Sequence, residues 1–232
     1  MPRIINVKGS IVPNDYAYFY DYFKQDYTCP KNVSNELSNA NGEPIEVHIN
    51  SPGGVIDVGS EIYTALRSYT GNLTIKIVGE ACSAASVIAM AGYCEMSPTA
   101  LMMVHRVSTR VSGNAGDMQH AAEMLSTADE ALCSAYVAKS PKLSKEKALE
   151  MMEHETWLNA EQALEYGLID KIMFTDSKPQ YMTASGNDFK LPTKEAMDKV
   201  RQMIDNQRIE ESANYRKAQS EMDFLKMKGV II

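Results

Sequence analysis

Residues 45–92 read IEVHINSPGGVIDVGSEIYTALRSYTGNLTIKIVGEACSAASVIAMAG. Apolar and polar residues alternate from 45 to 49, which is the period of a strand. The run Asn-Ser-Pro-Gly-Gly at 50–54 predicts a turn, because proline and adjacent glycines interrupt regular structure. Apolar residues then recur every four positions from Val58 to Leu66, and this spacing predicts a helix.

The same plan is repeated in the second half of this stretch. Residues 73–77 alternate as a strand does, and Gly79 predicts its end. Small and apolar residues from Ala84 to Ala91 predict a buried helix that stops at Gly92. Two consecutive strand–turn–helix units indicate parallel strands with right-handed crossovers, and therefore an α/β fold.

The flanking segments predict further elements and a domain boundary. We expect a first strand at residues 4–12, short strands at 93–96 and 101–104, and a last strand at 171–174. Polar residues that suit helix N-caps predict helices after each of them, and these are Asp15, Asp117, Ser144 and Asn159. We expect one domain at residues 1–176 and a charged, partly helical extension at 177–232, with an apolar stripe of Met197, Val200 and Ile204.

Composition excludes several classes of function. The chain has 232 residues and a formal net charge of −7, which disfavours sequence-independent binding to nucleic acid phosphates. No apolar run approaches the ~20 residues of a transmembrane helix, and the N-terminus does not resemble a signal peptide. The four cysteines form no metal-binding or disulfide pattern, so we expect a reducing cytoplasm, no metal and no cofactor.

The two predicted turns carry the candidate chemistry. Ser83 lies where the second helix begins, among small residues that leave its hydroxyl accessible. A serine needs a base, and His105 follows a strand that we expect beside the serine helix. The backbone N–H groups of Gly54 and Ala84 are the candidates for an oxyanion hole, which needs two converging donors.

Each of these signals has an ordinary structural interpretation when it is taken alone. A serine in an alanine-rich stretch commonly serves close packing, Ser-Pro-Gly-Gly is commonly only a turn, and Cys82 is commonly buried filler. No Gly-x-Ser-x-Gly elbow supports an α/β-hydrolase, and no Gly-x4-Gly-Lys motif supports a P-loop ATPase. The residues alone therefore predict an α/β protein with a candidate oxyanion site.

Four segments in the same order resemble the proteolytic subunit of the Clp protease family. Ile49–Gly54 is similar to its signature turn, and Gly79–Ser83 with the following helix is similar to its nucleophile region. Met102–His105 resembles its histidine strand, and Ala160–Asp170 resembles its closing helix and strand. The resemblance implies a superhelix of ββα units, a fold that the crotonase group shares.

The resemblance also implies roles for individual residues. Ser83 is implied to be the nucleophile and His105 the base, with the amides of Gly54 and Ala84 as the oxyanion hole. The family has aspartate where this chain has Glu155, so the third triad member departs from the pattern. Glu153 lies on the same segment and is a rival for that role.

Further features resemble the head-maturation proteases of tailed phages. These are the aromatic and Asn-rich residues 16–39, the Glu-Thr-Trp-Leu run at 155–158, and the C-terminal extension. The resemblance implies cleavage of capsid or scaffold protein without an ATPase, in a ring of six or seven subunits. Residues 112–140 match the family's handle, a strand–helix element that joins stacked rings.

Three other functions remain open at this point. The first is a housekeeping proteolytic subunit that works with a host Clp ATPase. The second is a crotonase-like enzyme acting on acyl-CoA, although Ser83 and His105 replace the glutamates expected there. The third is an inactive subunit that scaffolds assembly, which the departure at Glu155 favours.

Overall fold

The computed structural model describes residues 2–175, 195, 197–206 and 217. The chain divides into two units, Met1–Asp176 and Ser177–Ile232. In the first unit the strands are β1 Arg3–Ile11, β2 Tyr27–Thr28, β3 Ile45–Gly54, β4 Leu73–Cys82, β5 Tyr93–Met96, β6 Leu101–Val104, β7 Thr156–Leu158 and β8 Lys171–Ile172. The helices are α1 Ala17–Phe23, α2 Pro30–Asn39, α3 Ile56–Arg67, α4 Ala84–Ala89, α5 Ala115–Lys139, α6 Lys145–Glu153 and α7 Ala160–Glu165.

The predicted α/β fold is confirmed. The strands lie in the order β2-β1-β3-β4-β5-β8, and each of these neighbouring pairs is parallel. Off this path, β6 pairs in parallel with the end of β4, and β7 pairs antiparallel with β6. The C-terminal end of β4 therefore lies in the sheet beside β6, the strand that precedes His105.

The core lies between the sheet and its helices. Ile49 of β3, Ile77 of β4 and Ile62 of α3 are fully buried. Burying one such side chain stabilises the fold by about 1.5–3 kcal/mol. All six residues of α4 are buried as well, so the small residues predicted for this helix allow it to pack closely on its neighbours.

The two predicted breaks in the strands are wrong. Residues 50–54 belong to β3, although Gly53 has a φ of 96°, and β4 runs through Gly79 to Cys82. The register shifts after Ile49 in the ladder between β3 and β4, and between Lys8 and Ser10 in the ladder between β1 and β3. A Cβ on Gly79 would lie 2.2 Å from Oδ1 of Asn50, so a larger residue there would displace the Asn50 side chain.

Two predicted N-caps also need correction. Asp15 lies in a short 3-10 turn, and Tyr16 precedes α1 without a side-chain cap. Asn114, not Asp117, is the N-cap of α5, and Asp117 completes a reciprocal capping box with it. Ser144 and Asn159 cap α6 and α7 as predicted.

The predicted handle is only partly formed. Helix α5 spans 25 residues, but residues 105–114 contain no strand in the described chain. The predicted strand of a strand–helix handle is therefore absent from this segment. A strand that pairs with another subunit would not form in a single chain, because its hydrogen-bond partners would be missing.

The second unit is described at few positions. Residues 197–206 are helical, as the sequence predicts, and the apolar side chains of Met197, Val200 and Ile204 are exposed. The polar stretch at 177–192 lies outside the described residues. No helix among the described residues is long and apolar enough to cross a membrane.

Candidate active site

The corner between β4 and α4 presents the hydroxyl of Ser83. Ser83 has a φ of 54° and a ψ of −125°, a conformation that favours glycine. Holding a residue with a side chain there costs about 1–3 kcal/mol, which the surrounding structure must offset. The Ser83 N–H donates to the Met103 carbonyl at 3.0 Å, and this bond ties the corner to β6.

Ser83 and His105 are hydrogen-bonded to each other. His105 follows β6 directly, and its Nε2 lies 2.7 Å from Oγ of Ser83. The His105 side chain is half-buried, so water still reaches this side of the site. The distance suits transfer of the serine proton to an imidazole nitrogen.

The run at 50–54 links three parts of the site. Oδ1 of Asn50 accepts from the Glu80 N–H at 3.2 Å, which links β3 to β4. The buried Ser51 hydroxyl donates to the Gly9 carbonyl at 2.6 Å, which links β3 to β1. A Cβ on Gly53 would lie 2.7 Å from Cβ of Ser83, so glycine allows β3 to approach Ser83 closely.

Two backbone N–H groups are available near Ser83. Val55, not Gly54, donates its N–H to the Ile11 carbonyl of β1. Gly54 is the last residue of β3 and precedes Val55, so its N–H is not the one that binds the Ile11 carbonyl. Ala84 supplies the first N–H of α4, and the first N–H groups of a helix have no partner within it.

Glu155 and His105 each lie one residue beyond the ladder of β6 and β7. The last pair of that antiparallel ladder is Val104 with Thr156. Glu155 has a φ of 46° and is exposed. Within residues 2–175, no hydrogen bond joins its carboxylate to His105 or gives the His105 ring a second partner.

The rival acid Glu153 has another partner. Its Oε2 lies 2.6 Å from Nη2 of Arg106, and both side chains are half exposed. The buried carboxylate of Asp129 accepts from the Val107 N–H at 2.7 Å. Glu153 and Asp129 therefore bind the two residues that follow His105, and no hydrogen bond joins either carboxylate to the His105 ring.

Cys82 is a poor alternative nucleophile. Its thiol is buried, and burial together with the nearby Glu80 carboxylate raises its pKa to about 12. A thiol with that pKa is protonated at neutral pH, and the protonated form is a weak nucleophile.

An open cleft of about 620 Å³ lies beside Gly54. It extends from the ends of β1 and β3 to the segment after His105 and to α5. Its lining is mainly apolar and includes Ile11, Val12, Tyr20, Val55, Ile56, Val107, Met124, Leu125 and Ala128. Among the described residues no three His, Cys, Asp or Glu side chains are grouped to hold a metal ion.

Sequence reasoning missed two side chains behind Ser83. Ser86 and Tyr136 are buried, and they form a hydrogen-bonded pair that reaches the Ser83 carbonyl. Ser86 lies in the small-residue helix and was indistinguishable from packing. Tyr136 lies fifty positions further along the chain, and no local pattern connects the two.

The chain is similar in sequence to known proteins. The sequence profile of the Clp protease family matches residues 34–176. A similar protein, the ATP-dependent Clp protease proteolytic subunit 1 of Chlamydia trachomatis serovar D, is 34% identical over 146 residues, 60% of this chain and 74% of that protein. The protein of the same name from Protochlamydia amoebophila is 34% identical over 140 residues, 57% of this chain and 66% of that protein. The matched residues include Ser83, His105 and Glu155, whereas α1 and the residues after 176 lie outside the match.

Proposed function

Since the chain belongs to the Clp protease family, as the resemblance predicted, we propose that it is a serine endopeptidase with Ser83 as nucleophile and His105 as base. The observation that carries the proposal is the 2.7 Å hydrogen bond between Ser83 Oγ and His105 Nε2. The strained corner at Ser83 supports it, because such strain concentrates at active sites. Residues 1–176 form the peptidase domain of this proposal, and residues 177–232 form an extension of it.

The geometry supports acyl transfer in two halves. His105 removes the proton of Ser83 Oγ while the oxygen attacks the substrate carbonyl carbon, and the carbonyl oxygen becomes an oxyanion. The N–H groups of Gly54 and Ala84 stabilise that oxyanion. Collapse of this tetrahedral intermediate breaks the C–N bond of the substrate, and His105 passes the proton to the leaving amine. Water then attacks the acyl-serine, His105 acts as base again, and the acid and free Ser83 are released.

Glu155 is our proposal for the group that orients His105. It lies one residue beyond the last pair of the ladder of β6 and β7, as His105 does, and by the resemblance it occupies the position of the family's aspartate. Glutamate is one methylene longer than aspartate, so its carboxylate can span a wider gap to the imidazole than an aspartate at the same backbone position. Its exposed side chain in the single chain is consistent with a triad that closes when subunits pack together.

We further propose that the substrate is the capsid or scaffold protein of an assembling phage head in a bacterial cytoplasm. The features in support are the parts of the chain outside the family profile, which are the aromatic α1 segment and residues 177–232. A substrate that is confined with the protease inside the assembling head needs no ATPase to deliver it. The cleft beside Gly54 would take an apolar side chain of that substrate.

The names of the relatives favour a second candidate function. Those proteins are ATP-dependent proteolytic subunits, which would give this chain a host Clp ATPase as partner. In both functions we propose a ring of identical subunits, six or seven in number. The missing hydrogen bond between Glu155 and His105 favours a third candidate, an inactive subunit that scaffolds assembly.

One experiment separates these candidates. The purified chain is incubated with unfolded casein, alone and with a Clp unfoldase and ATP, and Ser83→Ala is the control. Cleavage without the unfoldase, lost in Ser83→Ala, supports the maturation protease. Cleavage only with unfoldase and ATP would assign the chain to the ATP-dependent subunits. No cleavage in either condition, by a chain that light scattering shows to be a ring, would favour the scaffold.

A further inference from the structure

A chain of hydrogen bonds runs from α5 to the backbone of the nucleophile. Oγ of Ser86 lies 2.6 Å from the Ser83 carbonyl oxygen, and the Tyr136 hydroxyl lies 2.8 Å from Oγ of Ser86. A carbonyl only accepts, so the single hydroxyl proton of Ser86 is directed to Ser83. Tyr136 must then donate to Ser86, and the protons all point toward the Ser83 carbonyl.

The Ser83 carbonyl and the Ala84 N–H belong to one planar peptide unit. In a trans peptide the two groups point in opposite directions, so fixing the carbonyl fixes the direction of the N–H. The N–H groups of Ser86 and Val87 reach the same carbonyl oxygen at 2.9 and 3.3 Å. With the Ser86 hydroxyl, three donors therefore hold this peptide plane at the strained corner.

We propose that Ser86 and Tyr136 are positioning residues that aim the Ala84 N–H at the oxyanion and strengthen it as a donor. The inference rests on the proposed function, in which Ala84 supplies half of the oxyanion hole. Hydrogen bonds accepted by a peptide carbonyl polarise the whole peptide unit, so its N–H becomes a better donor. Ser86 and Tyr136 touch no substrate atom and act only through Ser83 and Ala84.

The environment of the pair suits this role. Ser86 is 0% and Tyr136 3% exposed, so water does not compete for the hydrogen bonds. Burial raises the pKa of Tyr136 above its ordinary value, which keeps the hydroxyl protonated as a donor. If Tyr136 served packing alone, phenylalanine would fill the same space and replace it without a change in reactivity.

The test is the rate at which a fluorophosphonate labels Ser83 in the full chain. For Ser86→Ala we expect the maximal labelling rate to fall on the order of tenfold. This is less than the loss in rate of about 10²–10³-fold that follows removal of a whole oxyanion-hole donor. For Tyr136→Phe we expect a fall of about threefold, since only the polarising bond is lost. The reagent concentration that gives half the maximal rate should stay unchanged, because the cleft is untouched. Ser86→Thr keeps the hydroxyl and should keep the rate within about twofold.

Matched controls separate positioning from stability. Ser140 is also 0% exposed, and its hydroxyl also donates to a carbonyl at 2.6 Å, that of Tyr166. The Tyr69 hydroxyl donates to the Glu43 carbonyl away from the site. Ser140→Ala should lower the melting temperature by an amount similar to Ser86→Ala, and both Ser140→Ala and Tyr69→Phe should leave the maximal labelling rate unchanged.

The outcomes distinguish this inference from the function on which it rests. Wild type that is labelled at Ser83, with Tyr136→Phe and Ser86→Ala labelled at the wild-type rate, overturns the inference and leaves the serine peptidase intact. Wild type that resists labelling as an assembled ring overturns both. If Ser86→Ala does not fold, Tyr136→Phe decides, because it removes a single oxygen atom.

Discussion

Two corners of the site hold a residue in the conformation that favours glycine, and they differ in how they are held. Ser83, with a φ of 54°, is fixed by its N–H, its carbonyl and its hydroxyl, and its corner lies against buried helices. Glu155, with a φ of 46°, has one backbone bond, from its N–H to the Met152 carbonyl at 3.3 Å, and an exposed side chain. The proposed nucleophile and base are therefore preorganised in the single chain, whereas the proposed acid makes no hydrogen bond to the His105 ring.

The largest expected effect is at the preorganised corner. We expect His105→Ala to lower the rate of peptide hydrolysis on the order of 10⁴-fold or more, because Ser83 then has no base. His120→Ala, on the exposed side of α5, is the matched control and should retain full activity. Hydrolysis of labelled casein measures both. Activity of His105→Ala within tenfold of wild type would contradict the assigned base.

The next largest expected effect is at the corner that contains Glu155. Glu155→Gln removes the charge that would stabilise the His105 imidazolium, and we expect a loss on the order of 100-fold or more in casein cleavage. Glu153→Gln, whose carboxylate pairs with Arg106, should stay within about threefold of wild type, since exposed ion pairs contribute little. A large loss for Glu153→Gln with none for Glu155→Gln would reverse the assignment of the acid.

A smaller effect concerns stability. Glycine relieves the strain at both corners, so Ser83→Gly and Glu155→Gly should each raise the free energy of unfolding by about 1 kcal/mol. Ser83→Ala and Glu155→Ala keep a Cβ and should show no such gain. Urea denaturation measures all four variants. A loss of stability in both glycine variants would show that neither corner stores strain.

The smallest expected effect is that of Cys82→Ser, which should leave activity within about twofold of wild type. Because the pKa of the Cys82 thiol is raised to about 12, no thiolate contributes at neutral pH. Iodoacetamide should likewise leave Cys82 unmodified near pH 7 in the folded chain, as peptide mapping can show. Loss of hydrolysis in Cys82→Ser would indicate that Cys82, and not Ser83, is the nucleophile.

The sequence predicts the elements of the sheet well, because the two-residue alternation of β3 and β4 is strong. It does not predict that β3 continues through Pro52 and two glycines, since local signals for a turn there are overridden by pairing with β1 and β4. The contact of Ser86 with Tyr136 spans fifty positions, so only the folded chain brings it about. The roles of Ser83 and His105 could be proposed because the segments around both residues resemble the Clp protease family, whereas the orientation of Glu155 depends on a corner with no sequence signal.

The central claim is that Ser83 is an activated nucleophile, and covalent labelling tests it most directly. Wild type and Ser83→Ala are incubated with a fluorophosphonate, and intact mass counts the adducts. We predict a single adduct on wild type, mapped to Ser83, and none on Ser83→Ala. A folded, assembled wild type that gains no adduct, or an adduct that persists in Ser83→Ala, would contradict the account.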